Sequence, residues 1–388
     1  MYWPLQENFL DNNVINQLCN FIKRNKRFTQ FKKVKEFEKK FSKWNNSKYS
    51  VLVNSGSSAN LIIIQAAKEY YNWKNNDEII VPAVTWPTTV TPIIQSGLKP
   101  VFVDVNLNDF SFDYSDLKKK VSKKTKAIFI AHLIGFPSDV KKINEIIGKR
   151  NIKILEDCCE SQGASINNKK IGNFGVAGSF SFYWGHHMST IEGGMITTND
   201  KKFYNLCLLK RSHGLARELP NKDQNLYKRK YKSRNFKFLF VSDGFNLRST
   251  EINAYLGLIM LNKINQWIKI RNKNYNNFTQ ILNKYKKTLN IANNKNISSF
   301  VLPFLMKNKT EKIQLEKQLN FKGIETRPFI AGNLLNQPFL KSKYSSQKFK
   351  NSNFIDNNCF YIGNNQFVNK SRLNKLNKIL DKFFSKKK

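Results

Sequence analysis

The chain has 388 residues, 40% hydrophobic and 13% aromatic, enough to bury a sizeable core and too many for one minimal domain. Its formal charge of +39 would suit a polyanion. The lysines, however, are scattered among asparagines, as in "NNKNISSF" and "LNKLNKIL", with no basic stripe, so a nucleic-acid partner is not expected. In chain order, "KKVKEFEKKFSKW" places Val34, Phe37, Phe41 and Trp44 near one face of a helix. Seven β-rich runs separated by helical stretches follow: "KYSVLVN", "DEIIVPAV", "KPVFVDV", "TKAIFIAHLI", "IKILEDC", "GSFSFYW" and "GGMITTN". Such alternation predicts an α/β fold with a large domain built on a mainly parallel seven-stranded sheet. The segment "RELPNKDQNLYKRKYKSRNFKF" reads as a solvated, basic loop. Past residue 250 one long amphipathic helix, "STEINAYLGLIMLNKINQWIKIRNKNYNNFTQIL", leads to strands near "SSFVLPFLM". Two domains are therefore expected, a large one over 1–250 and a smaller C-terminal α+β one, with the linker helix, over 251–388.

No apolar run reaches membrane-spanning length without charges, and no signal-peptide pattern opens the chain, so a cytoplasmic protein without a membrane partner is expected. Cys19, Cys158, Cys159, Cys207 and Cys359 lack C-x-x-C spacing, which predicts reduced thiols and no metal site.

Three local signals carry chemistry. In "VNSGSSANLIII" a strand ends and small residues open a helix, where free amides and the helix dipole favour an anion. The same serines would equally serve as an N-cap. In "ILEDCCES", Asp157 closes a strand at the end where ligands of parallel sheets bind. It could pair with a protonated pyridine nitrogen, or simply cap a helix. In "VPAVTWPTTV", Trp86 could stack on a planar ring or belong to the core. Together they follow the order a pyridoxal phosphate site requires.

With these, "FEKKFSKWNNSKYSVLVNSGSSANL", "EDCCESQGA", "SFYWGHHMSTIEGGMITTND", "RSHGLARELP", "SDGFNLRSTEINAYLG" and "GIETRPFIAGNLLNQPF" resemble the DegT/DnrJ/EryC1/StrS sugar aminotransferase family. The resemblance runs nearly end to end and implies the fold-type I aminotransferase architecture. It implies a cofactor site in which Gly56, Ser57 and Ser181 hold the phosphate, Trp86 covers the ring, Asp157 meets its nitrogen and Glu160 its hydroxyl edge. Asn246 matches a residue that reaches the phosphate from a neighbouring subunit, which implies a homodimer. His213 and Arg248 match positions linked to glutamate. Arg217, Arg327 and the turn Lys26, Arg27, Phe28, Thr29 match positions that face a nucleotide sugar.

Aligned on Ser181-Phe182 and Glu192-Gly193-Gly194, His186 takes the place of the lysine that binds the cofactor covalently in transaminating members. Imidazole cannot form that bond, yet its ordinary pKa near ~6.5 suits proton transfer. The resemblance therefore implies a 3-dehydratase that uses pyridoxal/pyridoxamine phosphate. The expected substrate is a nucleotide-linked (GDP) 4-keto-6-deoxy sugar, and glutamate restores the amine. The product would be a 3,6-dideoxy-4-keto sugar for surface polysaccharide. The iron-sulfur branch of such dehydratases needs a cysteine cluster that Cys158, Cys159 and Cys207 do not reproduce. The alternatives are an aminotransferase tolerating His186 and a noncatalytic basic binding protein on this fold. His187 is read as a structural neighbour and His132 as a core histidine.

Overall fold

The computed structural model describes residues 2–289, 296–344 and 348–385. Helices α1 (Asn12–Arg24) and α2 (Lys32–Asn45) lead the chain. Val34, Phe37 and Phe41 are buried along α2, while Trp44, in its last turn, is half-buried. The first turn of α2 has no cap of its own, because Phe31 stands at the N-cap position. Glu251, 2% exposed, supplies one from far along the chain, accepting from the amides of Phe31, Lys33 and Val34 at 2.8–2.9 Å. A carboxylate placed there also complements the helix dipole.

Seven strands form the main sheet: β1 (Tyr49–Val53), β2 (Glu78–Pro82), β3 (Lys99–Val103), β4 (Thr125–Ala131), β5 (Lys153–Asp157), β6 (Ala177–Ser181) and β7 (Gly194–Thr198). Each overlaps one of the seven runs read from the sequence. Their order is β1-β7-β6-β5-β4-β2-β3, parallel throughout except for β7, which opposes both its neighbours. All side chains of β2, β6 and β7 are buried, as expected of a sheet covered on both faces. Because six strands run the same way, the carboxyl ends of β1, β2, β4, β5 and β6 share one edge. There the chain turns into helix α3 (Gly56–Tyr70) after β1 and α4 (Pro87–Gln95) after β2.

The single long helix expected after residue 250 is two, α5 (Glu251–Leu261) and α6 (Ile264–Leu282). The break reconciles two packing demands. Gly257 of α5 lies against Phe37 so closely that a Cβ would sit 2.5 Å from the ring, whereas α6 buries Ile264, Trp267, Arg271, Tyr275, Phe278 and Leu282 on one stripe. The basic segment read as a loop contains a helix, Asn221–Lys230, with no buried side chain. It is solvated as expected but helical, with Asp223 in its first turn and Lys228, Arg229 and Lys230 in its last, both signs complementing the dipole. Beyond residue 300, β8 (Val301–Leu305), β9 (Thr326–Pro328) and β10 (Cys359–Gly363) form an antiparallel sheet in the order β8-β10-β9. The N-terminal segment straps onto it: the Trp3 indole donates to the Gly363 carbonyl at 3.1 Å. The five cysteines are unpaired, and among the described residues no helix is long and apolar enough to cross a membrane.

Glu251→Ala would leave three amides at the start of α2 without their acceptor. We expect a loss of about 2 kcal/mol in urea unfolding at unchanged m-value.

Candidate active site

The chain leaves β1 at Val53, and Ser55 caps α3, its hydroxyl accepting from the Ser58 amide at 3.0 Å. Gly56 and Ser57, the first two helical residues, have amides with no intrahelical acceptor, available to an anion at the positive end of the dipole. The cap falls to Ser55, which leaves the Gly56 and Ser57 amides facing the cavity. A side chain at Gly56 is excluded, since a Cβ would lie 2.6 Å from Ser181 Cβ and 2.9 Å from Cys159 Sγ. That contact draws the ends of β1, β5 and β6 into one small concavity. The Ser57 hydroxyl donates to Thr88 Oγ1 at 3.1 Å, tying this turn to the first turn of α4.

Asp157, last residue of β5 and 7% exposed, is held on both oxygens. Oδ2 accepts from Asn60 Nδ2 at 2.7 Å and Thr89 Oγ1 at 2.8 Å, and Oδ1 from the Cys159 amide at 3.1 Å. Asn60 is itself oriented by the Ser179 hydroxyl at 2.5 Å. Sequence reasoning missed Asn60 and Thr89. The signal for Asn60 was a lone amide in the apolar helix "ANLIII"; for Thr89 the sequence offered none.

Trp86, at the N-cap of α4, is 56% exposed and lines the pocket, so it is not a core residue. Glu160 accepts from the Ile134 amide at 2.9 Å. Burial and, after it, the neighbouring Asp157 raise its carboxyl from the usual value to about 8, so at neutral pH it is protonated.

His186 sits in the turn after β6, its amide donating to the Tyr183 carbonyl at 3.0 Å. Its ring packs 5.2 Å from Phe300 and 6.0 Å from Tyr183, and its Nδ1 is buried without a partner. Burial, reinforced by Arg271, lowers its pKa to about 3, leaving a neutral imidazole. His187 points elsewhere. It is 1% exposed, its Nε2 donates to the Ser298 carbonyl at 2.9 Å, and its ring stacks on Phe300.

Gly56, Ser57, Trp86, Asp157, Glu160, Ser181, His186 and Arg327 line one cavity of about 480 Å³, and no lysine is among its lining residues. The C-terminal part of the chain adds Phe300, Glu325 and Tyr361, none of them anticipated from the sequence. Arg327 stands 3.9 Å from Glu325. The other candidates lie outside this cavity. Asn246 and Arg248 form a pair, Arg248 Nε donating to Asn246 Oδ1 at 2.9 Å, on an extended stretch that bridges Ser212 and Val53. Thr29 bridges Thr250 on the same stretch, and the amide of His213 donates to the Phe245 carbonyl at 2.7 Å. Phe28 is half-buried, whereas Lys26, Arg27 and Arg217 are exposed. Arg27 donates to the Gln30 carbonyl and Arg217 to that of Lys237.

His132, Glu156 and Cys158 also converge, with donor atoms within 4.8 Å. They do not suit a metal. Glu156 accepts from the amides of Gly172, Phe174 and Gly175, and His132 Nδ1 accepts from the Ser138 amide, which leaves Nε2–H to donate to Glu156. Burial holds the Cys158 thiol protonated.

An anion cradle at a helix start, an aromatic platform and a fixed buried carboxylate at the carboxyl edge of an α/β sheet fit a phosphorylated pyridine. Fold and site together define the class of fold-type I pyridoxal phosphate enzymes. The chain belongs to the DegT/DnrJ/EryC1/StrS aminotransferase family, whose profile matches residues 10–379. It is 39% identical to GDP-4-keto-6-deoxy-D-mannose 3-dehydratase of Escherichia coli O55:H7 over 88% of this chain and 90% of that one. Lipopolysaccharide biosynthesis protein RfbH of Salmonella typhimurium is 32% identical over 84% of this chain and 79% of that one. The fold superposes, with a TM-score of 0.90 and 34% identity, on a crystal structure of GDP-4-keto-6-deoxymannose-3-dehydratase with a trapped PLP-glutamate geminal diamine. That match covers 97% of this chain and all of the other.

The raised carboxyl of Glu160 has a consequence for stability. Its contribution is full below the ordinary carboxyl value of 4.5 and is lost as pH rises through about 8, because the folded chain holds a proton the unfolded chain has released. Urea midpoints measured from pH 5 to 8.5 should fall more steeply for the parent than for Glu160→Gln.

Proposed function

We propose that this protein is a pyridoxal-phosphate-dependent 3-dehydratase that removes the C3 hydroxyl of a GDP-linked 4-keto-6-deoxy sugar, with glutamate as amino donor. The observation that carries the reading is His186, a neutral imidazole in a cavity shaped for the cofactor whose lining contains no lysine. When bound in its amine form, the cofactor supplies an amino group that joins the sugar's keto carbon and a ring that takes up electrons.

The residues of the chain then have separate tasks. The Gly56 and Ser57 amides and the Ser181 hydroxyl would bind the phosphate, Trp86 would cover the ring, and Asp157, held in place by Asn60, Thr89 and the Cys159 amide, would meet the ring nitrogen. Glu160, protonated, can donate to the ring's hydroxyl edge. With no lysine lining the cavity, these residues would hold the cofactor noncovalently. His186 accepts a proton at a ring nitrogen and returns it to the departing C3 hydroxyl oxygen. Arg327, at the pocket rim, suits a diphosphate.

The second cluster fits a homodimer in which Asn246 reaches the partner's phosphate site. In it, His213 and Arg248 meet glutamate, while Lys26, Arg27, Phe28, Thr29 and Arg217 meet the sugar nucleotide. The same reading places the enzyme in the cytoplasm, making a 3,6-dideoxy-4-keto sugar for surface polysaccharide, in line with the name of its Salmonella relative.

Incubated with pyridoxal phosphate, glutamate and GDP-4-keto-6-deoxymannose, the protein should form a sugar nucleotide lacking one oxygen, with one 2-oxoglutarate and one ammonia per turnover. A product that keeps its C3 hydroxyl and carries nitrogen would make it an aminotransferase instead. His186→Ala should abolish the oxygen loss, by at least about 10³-fold, while the cofactor's absorbance on binding persists. Full activity in that variant would remove His186 from the reaction.

A further inference from the structure

A buried cation behind the pocket has no part in the assignments above. Arg271, on α6, is 0% exposed, and no carboxylate pairs with it among the described residues. Its Nη1 donates to the Phe300 carbonyl at 3.0 Å and to the Asn364 carbonyl, and its Nη2 to the His186 carbonyl at 3.4 Å. Asn364 returns a bond, its Nδ2 donating to the Arg271 carbonyl at 3.0 Å and to Ser299 Oγ at 2.9 Å. Nε of Arg271 is buried without an acceptor. Burying a guanidinium against carbonyls alone costs far more than burying an apolar side chain of the same size, so packing does not account for it.

We propose that Arg271 is a positioning residue for His186: its guanidinium locks the His186 turn to the Phe300 segment and the Asn364 turn, and its unmatched charge stands behind the imidazole. The inference rests on the reading of His186 as the proton carrier. The three carbonyls belong to three separate stretches, the turn after β6, the strand entering the small sheet and the turn after β10. One residue therefore sets where the ring stands between the two domains, and Phe300, held by the same guanidinium, packs against both His186 and His187.

The charge acts on chemistry as well as on place. Burial lowers the Arg271 pKa only to about 9, so it remains a cation at neutral pH. After burial, it is the charged group that depresses the proton affinity of His186. The other titratable or charged groups facing the cavity are Tyr183 and Glu192 on the segment of His186, His132 after β4, Asp157 at the end of β5, Cys159 and Glu160 just beyond it, Glu325 and Arg327 at β9, and Tyr361 on β10, with His187 behind Phe300. A cation behind the imidazole keeps it unprotonated before the reaction and, once it has taken a proton, favours release to the leaving oxygen. Lysine could keep the charge but cannot span three carbonyls with a planar fork.

The test compares the full chain with Arg271→Met and Arg271→Lys. Four histidines give few imidazole signals, and that of His186 is identified by its loss in His186→Asn. In the parent chain without cofactor this signal should keep its neutral position down to pH 5, whereas in Arg271→Met it should begin to titrate above pH 5. With cofactor and sugar nucleotide, the acidic limb of kcat should move up by about one pH unit in Arg271→Met. In Arg271→Lys the limb should stay in place while kcat falls about tenfold at unchanged KM. A folded Arg271→Met with parental titration and pH profile overturns the proposal. If Arg271→Met does not fold, a parental kcat in Arg271→Lys overturns it. A fully active His186→Asn would overturn the role of His186 in the reaction yet leave the shifted signal of Arg271→Met in place, so the two failures are distinct.

Discussion

The pocket depends on one close contact, that of Gly56 with Ser181 and Cys159. Three strand ends meet there with no room for a Cβ, and every other site residue is placed relative to that meeting point. Parallel strands make this possible. Because β1, β5 and β6 point the same way, the helix start that offers amides, the carboxylate of Asp157 and the turn bearing His186 emerge on one edge of the sheet. A second close approach sustains the first: Gly194, at the start of the antiparallel β7, lies so near the Ser55 carbonyl that a Cβ would stand 2.2 Å from it. Two glycines thus clear the space into which a phosphate would fit.

Around that point the protein invests in fixing charges. Asp157 has three donors, Glu156 three backbone amides, Glu251 three more, and Arg271 three carbonyls. In each case a buried polar side chain is held by oriented dipoles, without the mobility of a surface ion pair. Glu160 is the contrasting case: one amide and a neighbouring carboxylate leave its proton in place. A site with Asp157 held by three donors, a neutral Glu160 and a neutral His186 presents an acceptor, a donor and a base within one cavity. The difference among these three groups comes from their surroundings and not from residue type.

On the proposed reading, a histidine in place of the cofactor-binding lysine alters what such a site can do without altering its frame. An amine would hold the cofactor by a covalent bond and return it to the protein at each cycle. An imidazole can only hold and move protons, which suits loss of a hydroxyl better than return of the cofactor to the protein. The rest of the pocket is compatible with either course, which is why a chain of this family can serve a dehydration on an aminotransferase scaffold.

Much of this was legible in the chain itself. The seven strands showed because buried parallel strands are apolar runs bounded by turn residues, and the cradle, Asp157, Trp86 and His186 showed because each stands at a strand's carboxyl end beside small or turn-forming residues. The division of the linker helix at Asn262–Lys263 did not show, since both halves are apolar enough to look continuous, and only their different partners require the break. Asn60, Thr89, Phe300, Glu325 and Tyr361 were hidden for a similar reason: each acts at a distance in sequence that no local pattern encodes. The cap that Glu251 gives to α2 spans 217 to 220 residues. The amino-acid sequence by itself determined the class of fold and the presence of an imidazole, not an amine, at position 186, because hydrophobic period and residue type are local properties. Only the tertiary structure decided that Glu160 keeps its proton, that Ser55 is the serine that caps α3, and that Arg271 stands behind His186, because burial and long-range hydrogen bonds exist only once the chain has closed on itself.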